Sequence, residues 1–377
     1  MKVLLLDTGF SAAPIYDSLV ESGHQVWVMG NRLGDIIARK AGDRWINRNY
    51  SKIPEVCEDI ERLGIEYIVP GCTDVSLETC VQLGMKNLDD FSTNNILSNK
   101  KKFRSMCANL DIPAPCEISL DELPREGRYI CKPVDSFSGK GISVFDGSDY
   151  EAAQNSMKLA REASQSSDAL IETFVEGRLH SYSAFIEGHV PRDSFFVYEG
   201  SSINPFAVDT SYVEYGLPES CQKTLANSIE KIARALNLRD GLVHTQFLWD
   251  GERPWIVEMS RRCPGDLYAL LIEYSTGYQY AAKYASYFLG ESCAATSSTS
   301  RYILRHTVTA DHRTIYGGLQ MYSSTPIKAF YPLRALGDEL EGGHAGRAGV
   351  IFCELSNRQQ LVEATDKFLK REAYTVS

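Results

Sequence analysis

The sequence has little that would mark a specialised class. Its ten cysteines stand at 57, 72, 80, 107, 116, 131, 221, 263, 293 and 353, and no two are spaced as CxxC, which argues against zinc ribbons and dithiol redox centres. They read as reduced, mostly buried thiols. The longest basic run is Lys100 to Lys102, and a net charge of −10 opposes a phosphate backbone at long range, so no nucleic acid partner is expected. No apolar run approaches the ~18 residues of a membrane span. The opening MKVLLLDTGF enters a strand pattern without the basic flank of a signal peptide, so a cytoplasmic protein with no membrane partner is expected. The GxGxxG fingerprint is missing from the first strand-turn-helix, which weighs against a dinucleotide site and a dehydrogenase. There is no internal repeat, and the only small, polar stretch is Ser292 to Ser300, which reads as a linker.

What is present is an ordinary globular composition, 44% hydrophobic and 23% charged, over 377 residues, enough for two or three packed units. In the first ninety residues short apolar strands (VLLLD, HQVWVMG, YIVPG) alternate with amphipathic stretches, the rhythm of a parallel sheet with crossover helices. Gly9, followed by Ser11, Ala12 and Ala13, lies where strand turns to helix, a geometry that often holds an anion on helix amides. The simpler expectation is a scaffold that contributes one wall of a substrate cleft. A lysine-rich helix from Ser98 stops at Asp111-Ile112-Pro113, and a helix is expected at about 219 to 237. The resulting units are 1–97, 98–182, 183–295 and 301–377.

Three segments carry the chemistry. In YICKPVDSFSGKGISVF, residues 129 to 145, a lysine leaves a strand, two glycines bracket a second lysine, and a strand follows. Such a hairpin can fold over a polyphosphate, with Ser138 in its loop, Gly139 and Gly141 admitting backbone amides and Lys132 and Lys140 bringing charge. In ALIETFVEG, residues 169 to 177, an apolar strand ends in a carboxylate and a turn, able to offer backbone groups to an adenine edge and Glu176 or His180 to ribose hydroxyls. In HTQFLWDGERPWIVEMSRR, residues 244 to 262, two strands flank Asp250-Gly251. Gln246 and Glu258 then lie side by side, with Ser260 and Arg262 on the face of Glu258, because side chains repeat every two residues. Gln246, Glu258 and Ser260 are hard oxygen ligands for magnesium, and Arg262 is placed to stabilise a transferring phosphoryl group.

The order of these segments resembles the ATP-grasp superfamily, which includes biotin carboxylase, the carbamoyl phosphate synthetase large subunit, purine-pathway carboxylate ligases and L-amino acid ligases. The resemblance implies an α/β and α+β architecture: an N-terminal Rossmann-like (preATP-grasp) domain, a central split ATP-binding domain and a C-terminal lobe. It further implies ATP with Mg2+ (or Mn2+), a carboxylate substrate activated as an acyl phosphate, an amine that displaces phosphate, and pairing as a homodimer. By the same resemblance Lys100 and Lys132 meet the nucleotide phosphates, Ser136 to Gly141 is the flap with Lys140 as its basic residue, and Glu172, Phe174 and Val175 form the adenine hinge. Glu176 and His180 touch ribose, Glu258 bridges the metals, and Arg262 follows as the catalytic arginine.

Two departures bear on activity. Gln246 stands where the family has a second acidic ligand and Ser260 where asparagine is usual, so either one metal site is weakened or a neighbour such as Asp266 compensates. A carboxylase acting through carboxyphosphate and a nucleotide-binding protein without turnover are the alternatives. Arg261, Arg301, Arg305 and His306 are candidates to meet a substrate carboxylate, and His244 to face the site beside Gln246. Each is also an ordinary structural residue in a sheet. The tyrosines at 268, 274, 278, 280, 284 and 287 read as a helix packing face.

Overall fold

The structure, a computed structural model, describes residues 1–85, 87–136, 139–322 and 325–377. The apolar strand Lys2–Leu6 is buried along almost its whole length and lies at the centre of a parallel sheet ordered Trp45–Ile46, Gln25–Met29, Lys2–Leu6, Tyr67–Pro70. Burial on both faces is what a continuous run of valine and leucine requires. The anion-binding geometry read at Gly9 is occupied by the protein itself, because the Gly9 amide donates to Asp7 Oδ1 at 2.8 Å.

Residues after 98 build two larger sheets and, beyond 313, two two-stranded ones. Glu117–Ile118, Ala169–Thr173, Arg128–Pro133 and Ser143–Asp146 form an antiparallel sheet packed on the helix Tyr150–Ala163. The helix Lys100–Asn109, capped by the Asn99 side chain, ends at Asp111 in a left-handed conformation ahead of Pro113. An eight-stranded antiparallel sheet runs Pro254–Ser260, Gly241–Trp249, Arg178–Glu187, Val190–Gly200, Thr210–Val213, Tyr302–Thr309, Arg347–Leu355, Ile327–Pro332. Strands from residues beyond 300 continue the sheet that carries the Gly241–Trp249 and Pro254–Ser260 hairpin, so a boundary at 300 does not divide that sheet. The stretch after Ser292 is tied down, with the Ser298 and Thr299 amides donating to Thr276 O.

Of four hydrophobic cores among the described residues, two join the units to one another. One joins the parallel sheet to the helices Tyr268–Thr276 and Tyr280–Leu289, so the N-terminal unit and the large sheet share one interior. Four of the six tyrosines, Tyr268, Tyr278, Tyr280 and Tyr284, are buried in it as a packing face. The other packs the helices Lys100–Asn109 and Glu219–Ala235 against the large sheet. Burial on this scale contributes most of the favourable folding free energy, at about 25 cal/mol per Å² of apolar surface.

Candidate active site

A cavity of about 1610 Å³ opens where all these parts meet. It exceeds the roughly 300–1,000 Å³ of a single-ligand pocket, leaving room for a nucleotide and further substrate. The parallel sheet unit contributes Asp74, Leu77 and Glu78 as one wall, the small sheet Ile130, Lys132 and Glu172, and the large sheet Glu199, Gln246, Glu258, Arg305 and Arg347.

Lys132 and Glu258, 126 positions apart in the sequence, line this one cavity. Lys132 is held by Glu172, 2.5 Å away, and Glu172 also contacts Arg104 at 2.5 Å, with all three side chains buried. Burial pushes the Glu172 carboxyl up, but Lys132 and Arg104 outweigh it and hold the group below its ordinary range. Two cations around one carboxylate leave an excess of positive charge at the cavity wall. Lys100 also lines the cavity and donates to Ser136 O at 3.0 Å. Phe174, Val175 and Glu176 line its edge, where the Arg128 guanidinium stacks over Phe174 at 4.4 Å and donates to Glu176 at 3.2 Å.

Three readings change. Glu172 belongs to the cavity lining, but its side chain is fully buried and its carboxylate is committed to Lys132 and Arg104. His180 is absent from the cavity wall: its imidazole is buried, stacks on Phe247 and donates through Nδ1 to Arg178 O. Lys140 is exposed and outside the lining, whereas Gly139 lies in the wall in a left-handed conformation, its Cα facing Phe206. Gly141 is also left-handed and packs closely on Ala163, where a Cβ would come within 2.5 Å. Ser138 lies outside the described residues.

The hairpin of Gln246 and Glu258 has the register read from the sequence. Gln246 pairs with Glu258 and His244 with Ser260, with a bulge that leaves Val257 as the extra residue. All four line the cavity with Arg262, whose guanidinium reaches Asp74 at 2.6 and 3.3 Å across to the N-terminal wall. Sequence reasoning missed Glu199. It lies on Val190–Gly200, 7% exposed, and accepts a hydrogen bond from Gln246 Nε2 at 2.6 Å. Burial pushes its carboxyl up to about 7, against hydrogen bonds from Ser181 and Gln246 and with a further push from Glu258. A carboxylate at the end of an otherwise apolar strand, FFVYEG, was the available signal. Asp266 sits farther along the wall, paired with Arg305 and Arg347. The Glu258 carboxylate and the Gln246 amide oxygen, with Glu199 hydrogen-bonded behind Gln246, make a hard and sparse donor set, which suits magnesium that takes its remaining ligands from phosphate and water. Among the described residues no group of three His, Cys, Asp or Glu forms a self-sufficient metal site.

The remaining candidates separate clearly. Arg261 donates to Asp89 at 2.7 Å, Arg301 pairs loosely with Glu354 on the surface, and His306 lies in a buried network. Of the four, only Arg305 lines the cavity. His244 lines it as well, edge-on to Tyr268, and burial lowers its imidazole to about 3, which keeps it neutral.

The order of sheets and the shared cavity define an ATP-grasp fold, and solved structures bear this out. The L-amino acid ligase from Bacillus licheniformis superposes with a TM-score of 0.79 at 16% identity, over 100% of this chain and 98% of that one. Phosphoribosylglycinamide synthetase from Anaerococcus prevotii gives 0.78 at 14% identity, over 100% and 99%. The biotin carboxylase domain of Hydrogenobacter thermophilus 2-oxoglutarate carboxylase, in complex with MgADP, ADP and bicarbonate, gives 0.77 at 14% identity, over 100% and 90%. No protein-family model matches the sequence. No curated protein matches it either. Among the described residues no helix is long and apolar enough to cross a membrane.

Proposed function

We propose that this protein is an ATP- and magnesium-dependent ligase that activates a small-molecule carboxylate as an acyl phosphate and joins it to an amine. The observation that carries the reading is the convergence of Lys132, Glu258 and Arg262 on one cavity large enough for nucleotide and substrate together. A substrate carboxylate oxygen attacks the γ-phosphorus, the bond to the β-bridging oxygen breaks, and ADP leaves. The amine then attacks the acyl carbon, phosphate departs with the C–O bond electrons, and the amine proton passes to solvent or phosphate. The protein positions and neutralises. Lys132 and Lys100 supply charge to the phosphates, Glu258 and the Gln246 oxygen hold the cation, and Arg262 faces the charge that develops on the transferring group. Magnesium, when bound, offsets phosphate charge and aligns the transferred group.

Gln246 and Ser260 in place of charged and amide ligands favour a second reading, nucleotide binding without turnover; Glu199 behind Gln246 weighs against it. The test is ADP release over a panel of carboxylic acids, bicarbonate included, with hydroxylamine to trap acyl phosphate as hydroxamate. An acid-dependent hydroxamate is expected. ATP binding with no acid-dependent ADP release would overturn the proposal.

A further inference from the structure

Two helices meet the cavity beside Arg262. The helix Asp74–Gln82 starts at the residue whose carboxylate holds the Arg262 guanidinium at 2.6 and 3.3 Å, so its first turn lies next to the place given to the transferring group. It lines the cavity with Asp74, Val75, Leu77 and Glu78. The helix Phe91–Ser98 packs against it and lines the cavity with Phe91, Asn94, Asn95 and Ser98, which share one face at i, i+3, i+4 and i+7, and with Leu97 beside them. Lys100 follows shortly after Ser98 in the same wall, so this face leads from the phosphate lysine to Phe91, roughly 10 Å along the helix axis from Ser98. Phe91 is 57% exposed and Val75 40%, and of the large hydrophobic side chains exposed among the described residues these two alone line the cavity. Leu77 and Leu97, both buried, add apolar wall. The cavity-lining residues of the two helices include two carboxylates and no cation. Asp74 is committed to Arg262, and Glu78 accepts from Gln82 Nε2 at 3.2 Å. Asn94 and Asn95 are neutral.

We propose that this helix pair receives the tail of the carboxylate substrate, and that the tail is apolar and carries no second acid group. The inference rests on the ligase reading and deepens it by naming the class of acid. The reacting carboxylate at Arg262 anchors one end, and the groove is continuous with that anchor inside one cavity. Covering Val75 and Phe91 takes apolar surface of both partners out of water, which supplies the driving force. A second anion on the tail would meet Asp74 and Glu78 with no cation of these helices to offset it. A cationic tail fares little better, because both carboxylates already have partners and the wall between them is apolar.

The experiment measures hydroxamate formation from acetate, butyrate, hexanoate, adipate and 6-aminohexanoate, with hydroxylamine as the nucleophile. From butyrate to hexanoate kcat/KM is expected to rise about two- to fourfold per methylene, the scale of burying each CH2 at a partly open wall. Hexanoate should exceed adipate and 6-aminohexanoate by roughly tenfold or more, since each of those sets a charge against apolar surface. Phe91→Ser should reduce the rise to below about 1.5-fold per methylene, with thermal melting as the check that the variant is folded. Calorimetric titration of the wild-type chain with the same acids, in the presence of a non-hydrolysable ATP analogue, reads the groove without turnover. Sedimentation of wild type and Phe91→Ser shows whether the exposed side chains instead join two copies of this chain. A series flat in chain length, equal or better use of adipate or 6-aminohexanoate, a rise that Phe91→Ser leaves intact, or a dimer that Phe91→Ser dissociates overturns the inference. Hydroxamate formation alongside any of these leaves the ligase reading standing. Its absence for every acid removes that reading separately, and the heats then decide the groove alone.

Discussion

The amide of Gln246 donates through Nε2 to Glu199 Oε2 at 2.6 Å, with Gln246 paired in register to Glu258 on the neighbouring strand. A nitrogen committed to a carboxylate fixes which way the amide points and leaves its oxygen as the free acceptor. The acid expected at position 246 has in effect moved one hydrogen bond back, to a residue 47 positions away in the sequence.

The consequence for metal affinity is direct. Glu199→Gln removes the ionisable carboxyl behind Gln246 and replaces one of its two acceptor oxygens with an N–H donor, which weakens the control of the Gln246 orientation. Magnesium dependence of ADP release should then shift by about 10- to 100-fold, the usual cost of losing an outer-shell partner. The metal titration of wild type and variant, read by ADP release or by manganese binding in its place, checks this. Equal midpoints would show that Glu199 does not support the site.

Glu258 is the one acidic side chain read from the sequence as a direct metal ligand, and its register partner Gln246 is an amide. Glu258→Ala should reduce acid-dependent ADP release by roughly 100-fold or more, the scale of removing a main electrostatic contribution. Full activity in this variant would mean that the cation is held elsewhere.

The triad of Arg104, Glu172 and Lys132 makes an asymmetric prediction about stability. Glu172→Gln strands two buried cations and should cost about 3 kcal/mol or more, whereas Arg104→Met leaves a matched Lys132 and Glu172 pair and should cost less. The same group sets an acid limit. Because its folded pKa is lowered, the stabilisation is complete above the ordinary carboxylate range and fades as pH falls below it. Urea unfolding of both variants at pH 7, and of wild type down to pH 4, measures both effects. An equal cost for the two substitutions would show that the charge balance is unimportant.

How much of this was legible follows from sequence distance. Gln246 and Glu258 lie on one hairpin, so period-two alternation and a turn fixed their pairing, and the bulge at Val257 fell where it left both on the cavity side. Lys132 was legible because its own strand and loop carry the pattern. Glu199, Arg104 and Arg347 reach the cavity region only through sheet order and helix packing, which no local period encodes. Ligand contact was inferred at His180 from its place near a turn, but the imidazole is buried against Phe247, and the cavity lining along this strand stops at Leu179. The left-handed pair at Asp266 and Leu267, which aims a carboxylate between two arginines, has no sequence signature of the glycine kind.

His306 gives the clearest pH effect on folding. Its Nδ1 lies 2.8 Å from Thr210 Oγ1 and its Nε2 2.9 Å from Tyr374 Oη, which ties together three strands in the C-terminal part of the chain. Burial lowers the imidazole to about 3, with Asp209 opposing and Arg305 and Arg371 assisting. The unfolded chain binds a proton near the ordinary pKa of about 6.5, and the folded chain does not until far lower, so the unfolded state gains as pH falls. Stability is therefore highest above about 6.5 and declines toward 3, with a loss from this residue of about 2 kcal/mol between pH 7.5 and pH 5. His306→Gln keeps a neutral hydrogen-bonding group and removes the titration. It should lower stability at pH 7.5 yet flatten the decline between pH 7.5 and pH 5, as measured by urea unfolding at both. A parallel decline in variant and wild type would assign the acid sensitivity to other groups.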